Sequence, residues 1–300
     1  MVIKKMRMNL NGLLGAALTG AALLAPLAAA AQQAFPTPDA AATALVDAIV
    51  QIDEDALRKI LGRDWRKFIP TENLDRRDID AFLGGWAASH KIVIDPAHTA
   101  HLAVGAQEWV LPIPMVEKNG IWRFDARAAA DEIRTRRIGR NELAAMQATF
   151  AYYDAQKEYA SQDHNGDGVL EYAQKLISTP GKQDGLYWAA LDGEAESPLG
   201  PLFGDGEPSG RGYYGYHYRI LTAQGSKAPG GAYDYLLKNR LFGGFALVAW
   251  PVKYGDSGVM SFIVSHDGVL YEKDLGPQSS ATARAMSQFN PDDSWKKVNP

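Results

Sequence analysis

Near residue 91 the spacing of apolar residues changes from three-and-four to two, and no single motif constrains the fold of this chain as strongly. Before the change, Thr37-Pro38-Asp39 supplies an N-cap, a proline suited to the first helical turn and an early acid, and Ala42, Leu45, Val46 and Ile49 follow at helical spacing. Asp53 is placed to cap a second short helix whose stripe is Leu57, Ile60 and Leu61 and which stops at Gly62. After the change, residues 91–95, 101–104 and 109–116 read as strands, and Asn119-Gly120 turns the chain into a fourth at 121–124. Neither the helices nor the meander can bury an apolar face alone, so they are expected to pack as one α+β unit over residues 36–125.

The period then changes twice more. Residues 125–137 read as a polar helix, and a second helix from Asn141 carries Leu143, Met146, Phe150 and Tyr153, so the two together are expected to bridge to another unit. Arg134, Arg136, Arg137 and Arg140 then fall at a helix end, where cations are favourable. Further on, Tyr214, Tyr216, Tyr218 and Ile220 share one strand face. Residues 245–250 form an unbroken apolar run, and 259–264 meets 269–271 across Asp267-Gly268. The predicted class is therefore α+β: N-terminal helices on an antiparallel meander, a long bridging helix, and a C-terminal antiparallel sheet. The bridge and C-terminal unit are expected over residues 126–290, with a short helix at 281–289 and a polar tail at 291–300.

Residues 1–31 stand apart from this plan. Lys4, Lys5 and Arg7 precede an apolar run from Leu13 to Leu27 and then four alanines, the pattern of a signal peptide cut near Ala31. The run is broken by Gly15, Thr19 and Pro26 and is short for a membrane span, so after cleavage the protein is expected to be periplasmic or secreted and not integral to a membrane. Losing three cations and no acid would take the formal charge from −4 to −7. Such a balance argues against nucleic acid as a partner. The chain has no cysteine, which excludes disulfides, thiol nucleophiles and thiolate metal sites.

One stretch has metal-ligand spacing. In Asp163-His164-Asn165-Gly166-Asp167-Gly168-Val169-Leu170-Glu171, alternate side chains can converge while glycine permits a sharp reversal. Asp163, Asn165 and Asp167 are candidate calcium ligands, with the Val169 carbonyl as a backbone ligand and Glu171 closing the site. The twelfth position, where a full EF-hand loop has glutamate, is Gln174, so the expectation is a shortened structural calcium loop rather than a sensor. The competing reading is a turn without an ion, since Asp, Asn and Gly favour turns unaided. Elsewhere, Gly255-Asp256-Ser257-Gly258 lacks the companions of a catalytic triad and reads as a loop between strands. The tyrosines between 187 and 235 read chiefly as strand packing.

Several strings are jointly informative: Arg137-Ile138-Gly139-Arg140-Asn141-Glu142, Ser178-Thr179-Pro180-Gly181-Lys182, Gly230-Gly231-Ala232-Tyr233-Asp234-Tyr235 and Gly243-Gly244-Phe245-Ala246-Leu247-Val248-Ala249-Trp250-Pro251. With these, the chain closely resembles the exported bacterial family called domain of unknown function 2950. The resemblance implies export and two-part organisation and carries no activity with it. More loosely, a long helix, an Asp-rich loop, a tyrosine-rich strand and a Ser-Phe-Ile-Val strand before an Asp-Gly turn resemble the globular half of type II secretion pseudopilins, some of which hold calcium in a C-terminal loop. The expected function is a non-catalytic binding or envelope-assembly role toward an envelope protein or glycan. The rivals are a periplasmic enzyme with an interdomain carboxylate site, such as Asp234 with Glu171, and a secretion accessory or chaperone.

Overall fold

The computed structural model describes residues 32–69, 71, 76–190, 196–200 and 212–298; the expected signal peptide, residues 1–31, lies outside them. Helix α1 (Pro38–Val50) starts where Thr37 Oγ1 accepts the Ala40 N–H, and α2 (Glu54–Leu61) where Asp53 accepts the N–H groups of Asp55 and Ala56. A 3₁₀ turn follows at Trp65–Lys67. Helix α3 (Arg76–Ala88) was not expected from the pattern: it buries no residue fully, and only Phe82 and Trp86 reach the core.

Strands β1 (His90–Ile94), β2 (Thr99–Val104), β3 (Trp109–Val110), β4 (Met115–Lys118) and β5 (Ile121–Phe124) form an antiparallel sheet in the order β1-β2-β4-β5, with β3 also on β2. The single strand expected at 109–116 is interrupted, because Pro112 and Pro114 have no N–H to give the ladder. The helices lie on this sheet through Leu45, Ile60, Trp65, Leu102, Met115 and Phe124, so the expected helix-on-meander unit is observed.

The two helices expected from 125 onward are one. Helix α4 (Ala126–Tyr159) runs for 34 residues straight through Gly139, capped by the Asp125 carboxylate. Its first turns place Ala126 and Ala129 in the N-terminal core, while Ala145, Ala148, Tyr152, Ala155 and Tyr159 belong to a second core. The four arginines therefore sit in mid-helix rather than at its end. Arg136 donates to the Val110 carbonyl at 2.7 Å, and the adjacent Arg137 pairs with Asp256, so neighbouring residues hold the two units.

Beyond the helix, β6 (Tyr216–Leu221) is followed by four two-residue strands: β7 (Ala223–Gln224), β8 (Tyr233–Asp234), β9 (Leu236–Leu237) and β10 (Arg240–Leu241). Next come β11 (Ala246–Pro251), β12 (Met260–Ser265), β13 (Leu270–Asp274), helix α5 (Ser279–Ala285) and β14 (Lys296–Lys297). The main sheet is antiparallel in the order β14-β13-β12-β11-β6, while β7 pairs with β8 and β9 with β10. Helix α4 covers one face through Phe245, Leu247, Phe262 and Val264, and α5 lies with Val248, Trp250, Ile263 and Tyr271 on the other. Burial of β11 on both faces explains its unbroken apolar run. Tyr214 is not on the strand face expected of it; it turns with φ +49 and is half exposed, whereas Tyr216 and Tyr218 are buried. Nor is the C-terminal segment a free tail, since Lys296 and Lys297 pair with Glu272 and Tyr271. Among the described residues no helix is long and apolar enough to cross a membrane.

Candidate functional site

The Asp163–Glu171 loop begins four residues after α4 ends, and its backbone is shaped by its own acids. Asp163 Oδ1 accepts the N–H groups of Asn165 (3.1 Å) and Gly166 (2.8 Å), and its Oδ2 accepts that of Gly168 (2.7 Å). Asn165 Oδ1 accepts from the Asp167 N–H at 3.0 Å, and Asp167 Oδ1 from the Val169 N–H at 2.9 Å. Gly166 and Gly168, at φ +76 and +79, take backbone conformations that side chains disfavour, which is why the repeat needs glycine at both places. These N–H groups, Gly168 foremost, hold the Asp163 carboxyl below its ordinary range.

Two of the candidate calcium ligands meet a cation of the chain's own, 69 residues beyond Glu171. Arg240 Nε donates to Glu171 Oε2 at 2.7 Å and its Nη1 to Asp167 Oδ2 at 2.6 Å, while Asn165 Nδ2 donates to Glu171 Oε1 at 3.2 Å. One guanidinium thus clamps two of the three acids, as its forked donors permit. The hydrogen bond from Arg240 is the main cause of a lowered Asp167 carboxyl, and that to Glu171 the main cause of a raised guanidinium. Nothing in the loop's spacing identifies Arg240. The local signal is its hairpin, in which Lys238 and Asn239 both take positive φ and return the chain so that Arg240 faces Leu237.

The structure thus gathers Asp167 and Glu171 on Arg240, ties Asn165 to Glu171, and spends Asp163 on backbone N–H groups. Val169 is exposed, with its N–H committed to Asp167. Among the described residues no three His, Asp or Glu side chains form a metal-holding group. The oxygens that could serve a cation are those named from the sequence, and reaching Asp167 and Glu171 requires exchange for the guanidinium.

Behind the loop lies a buried polar knot. Gln156 Nε2 donates to the Ala173 carbonyl at 2.8 Å and to the Tyr152 hydroxyl at 3.1 Å, and the Ala173 N–H donates to Gln156 Oε1 at 2.9 Å. Tyr152 donates in turn to the Ala246 carbonyl at 3.1 Å, tying α4, the loop's exit and β11 together. On the outside, Val169, Leu170 and Leu237 are exposed: two lie between the acids that Arg240 binds, and the third is opposite Arg240 in its hairpin.

Ser257 exchanges hydrogen bonds with the Lys253 backbone, and its carbonyl accepts from Asn141 Nδ2 at 2.9 Å. Its Gly-Asp-Ser-Gly string is the β11–β12 loop, held by α4. Asp234 is exposed on β8, and both Glu171 oxygens are engaged, so this pair is not poised for acid–base work.

The fold and loop define an α+β protein with two cores strung on one helix and an acid loop clamped at that helix's end. Over residues 32–298 the chain matches the model of a family described as protein of unknown function, DUF2950, and it belongs to that family. No curated protein and no solved structure matches it.

Proposed function

We propose that this is an exported, non-catalytic binding protein of the cell envelope, in which the Asp163–Glu171 loop is a structural element that accepts calcium and presents a docking surface for an envelope protein. Export rests on the charged, apolar and alanine-rich order of residues 1–31. Calcium rests on the donor set of Asp163, Asn165, Asp167, Glu171 and the Val169 carbonyl, all oxygen, which suits a hard cation. The observation that carries the binding role is the exposure of Val169, Leu170 and Leu237 around a loop whose Asp167 and Glu171 side chains are fixed by Arg240. Apolar groups on a pre-ordered loop lose little entropy on docking.

A photo-crosslinking amino acid at Leu237, in cells exporting the protein, tests this reading. The expected result is a discrete adduct with an envelope protein, absent when the same group replaces Lys157 on the exposed face of α4. The same pattern from both positions, or no adduct from Leu237, would refute the docking role. A secretion accessory or chaperone would instead give a broad set of adducts that grows when exported proteins misfold.

A further inference from the structure

We propose that a cavity at the edge of the N-terminal sheet binds a small organic anion carrying an apolar or aromatic body. The cavity has a volume of about 390 Å³, in the range of small-molecule sites, and lies between the end of α2, the 3₁₀ turn, strands β4 and β5, and the start of α4. Four cationic side chains line it: Arg63, Lys118, Arg123 and Arg127. None of the four forms an ion pair with a described residue, whereas Arg58, Arg66 and Lys67 close by are each matched with an acid. Four like charges around one hollow repel one another, an arrangement that an anion relieves.

The two carboxylates on the same wall are already engaged. Asp64 pairs with Lys67 at 3.0 Å, and Asp125 accepts the N–H groups of Arg127 and Ala128 as the cap of α4. Their charge reduces the cationic excess without cancelling it. Because the protein as a whole is acidic, this excess is a local feature and not a reflection of general basicity.

The apolar half of the ligand follows from the rest of the lining. Trp65 and Phe68 face the cavity, and the Arg127 guanidinium lies over the Phe68 ring, 5.5 Å from its centroid. A guanidinium stacked on an aromatic ring is held flat, with its donor edge free to meet a carboxylate or phosphate. Val116 and Arg123 are cross-strand partners and so share a sheet face, placing an apolar and a cationic group side by side. An inorganic ion would leave the aromatic side unused, and a neutral ring would leave the cations unmatched.

Two dyes with the same ring system test this on the purified full chain: dansylglycine, which carries a carboxylate, and dansylamide, which does not. Dansylglycine is expected to bind at one equivalent with an affinity that falls as salt rises, and dansylamide at least about tenfold more weakly. Lys118→Gln, at an exposed strand end, and Arg123→Gln are each expected to weaken dansylglycine about threefold or more while leaving dansylamide unchanged. Arg58→Gln, outside the cavity, should alter neither. Equal affinity for the two dyes, no binding of dansylglycine at millimolar concentration, or indifference to Lys118→Gln and Arg123→Gln in proteins that melt normally would each overturn the proposal.

Discussion

Replacing Gln156 tests whether the clamped loop is built on the buried knot behind it. The side chain is fully buried and satisfies both backbone groups of Ala173, itself fully buried. Gln156→Leu keeps the volume and removes both partners. An unmatched buried N–H or C=O costs about 1–3 kcal/mol, so the variant is expected to lose about 2–5 kcal/mol after the added apolar burial is allowed for. Gln156→Glu gives a sharper result. As a neutral acid it can donate O–H to the Ala173 carbonyl and accept the Ala173 N–H, losing only its bond to Tyr152, at about 1 kcal/mol. As a buried carboxylate it faces that carbonyl with no proton to give, so its folded pKa is raised above the ordinary glutamate value of about 4.3. The unfolded chain then releases a proton that the folded chain keeps, and stability falls by about 1.4 kcal/mol per pH unit above that value. Between pH 4.5 and pH 7 the deficit relative to wild type should grow by about 3 kcal/mol in urea denaturation, followed by near-ultraviolet circular dichroism. A deficit that stays constant across that range would show that water or a local opening serves Ala173, and that the knot does not brace the loop.

Calcium at millimolar concentration is expected to raise the melting temperature of the chelator-treated wild type, magnesium to raise it less, and Asp167→Ala to abolish the response. Because the ion competes with Arg240, Arg240→Gln should melt lower without calcium and respond to it more strongly; identical melts with and without calcium in both proteins would leave the loop a bare turn. Partial burial pushes the Asp184 carboxyl up, but hydrogen bonds from Lys175 (2.7 Å) and from the Thr179 N–H and hydroxyl outweigh it and bring it down to about 2 from 3.8. Its stabilising contribution is therefore complete above pH 3.8 and lost as the pH falls toward 2, so Asp184→Asn should melt lower at pH 5 and show a shallower acid slope; parallel melting curves for the two proteins would contradict this. Gly139→Ala should stabilise α4 by about 0.5–1 kcal/mol, since a methyl there meets nothing within 4 Å, and a fall in melting temperature would mean that the helix needs glycine at this point.

Features set by neighbouring residues were legible in the sequence. Thr37, Asp53 and Asn119-Gly120 act over three or four positions, and the caps and the turn lie where those residues put them. The break in the 109–116 strand was equally local, and Pro112 and Pro114 were visible signs of it. Helix α3 was obscured because Gly84-Gly85 dilutes its stripe; at Gly85 a Cβ would lie 3.3 Å from the Val104 side chain, a close approach of helix to strand. Gly139 was misleading in the opposite sense, since its cost to a helix is small beside the packing at both ends of α4. At the candidate site, the turn-forming tendency of Asp163, Asn165 and Asp167 was local, and their side chains accept backbone N–H groups within the loop. The role of Arg240 was not local, because it is created when the β9–β10 hairpin folds back beside the loop exit, where the Tyr172 N–H donates to the Leu241 carbonyl.

The position of α4 gives these parts a common logic. Its first residues border the cationic cavity, and the clamped loop follows its last, so the two sites lie at opposite ends of a helix about 50 Å long. Midway, Arg136 takes the N-terminal unit through Val110 and Arg137 takes the C-terminal unit through Asp256, while Asn141 and Glu142 hold the β11–β12 loop, Glu142 accepting the N–H groups of Val259 and Met260. Two successive arginines and the two residues after Arg140 therefore resist hinging at the point where a glycine would otherwise permit it. Helix α4 contributes to both cores, Ala126 and Ala129 to the first and Ala145, Ala148, Tyr152, Ala155 and Tyr159 to the second, so it is part of each unit's packing. It also sets a fixed separation between the cavity and the loop, which the two proposed roles, anion binding at one end and docking at the other, would use.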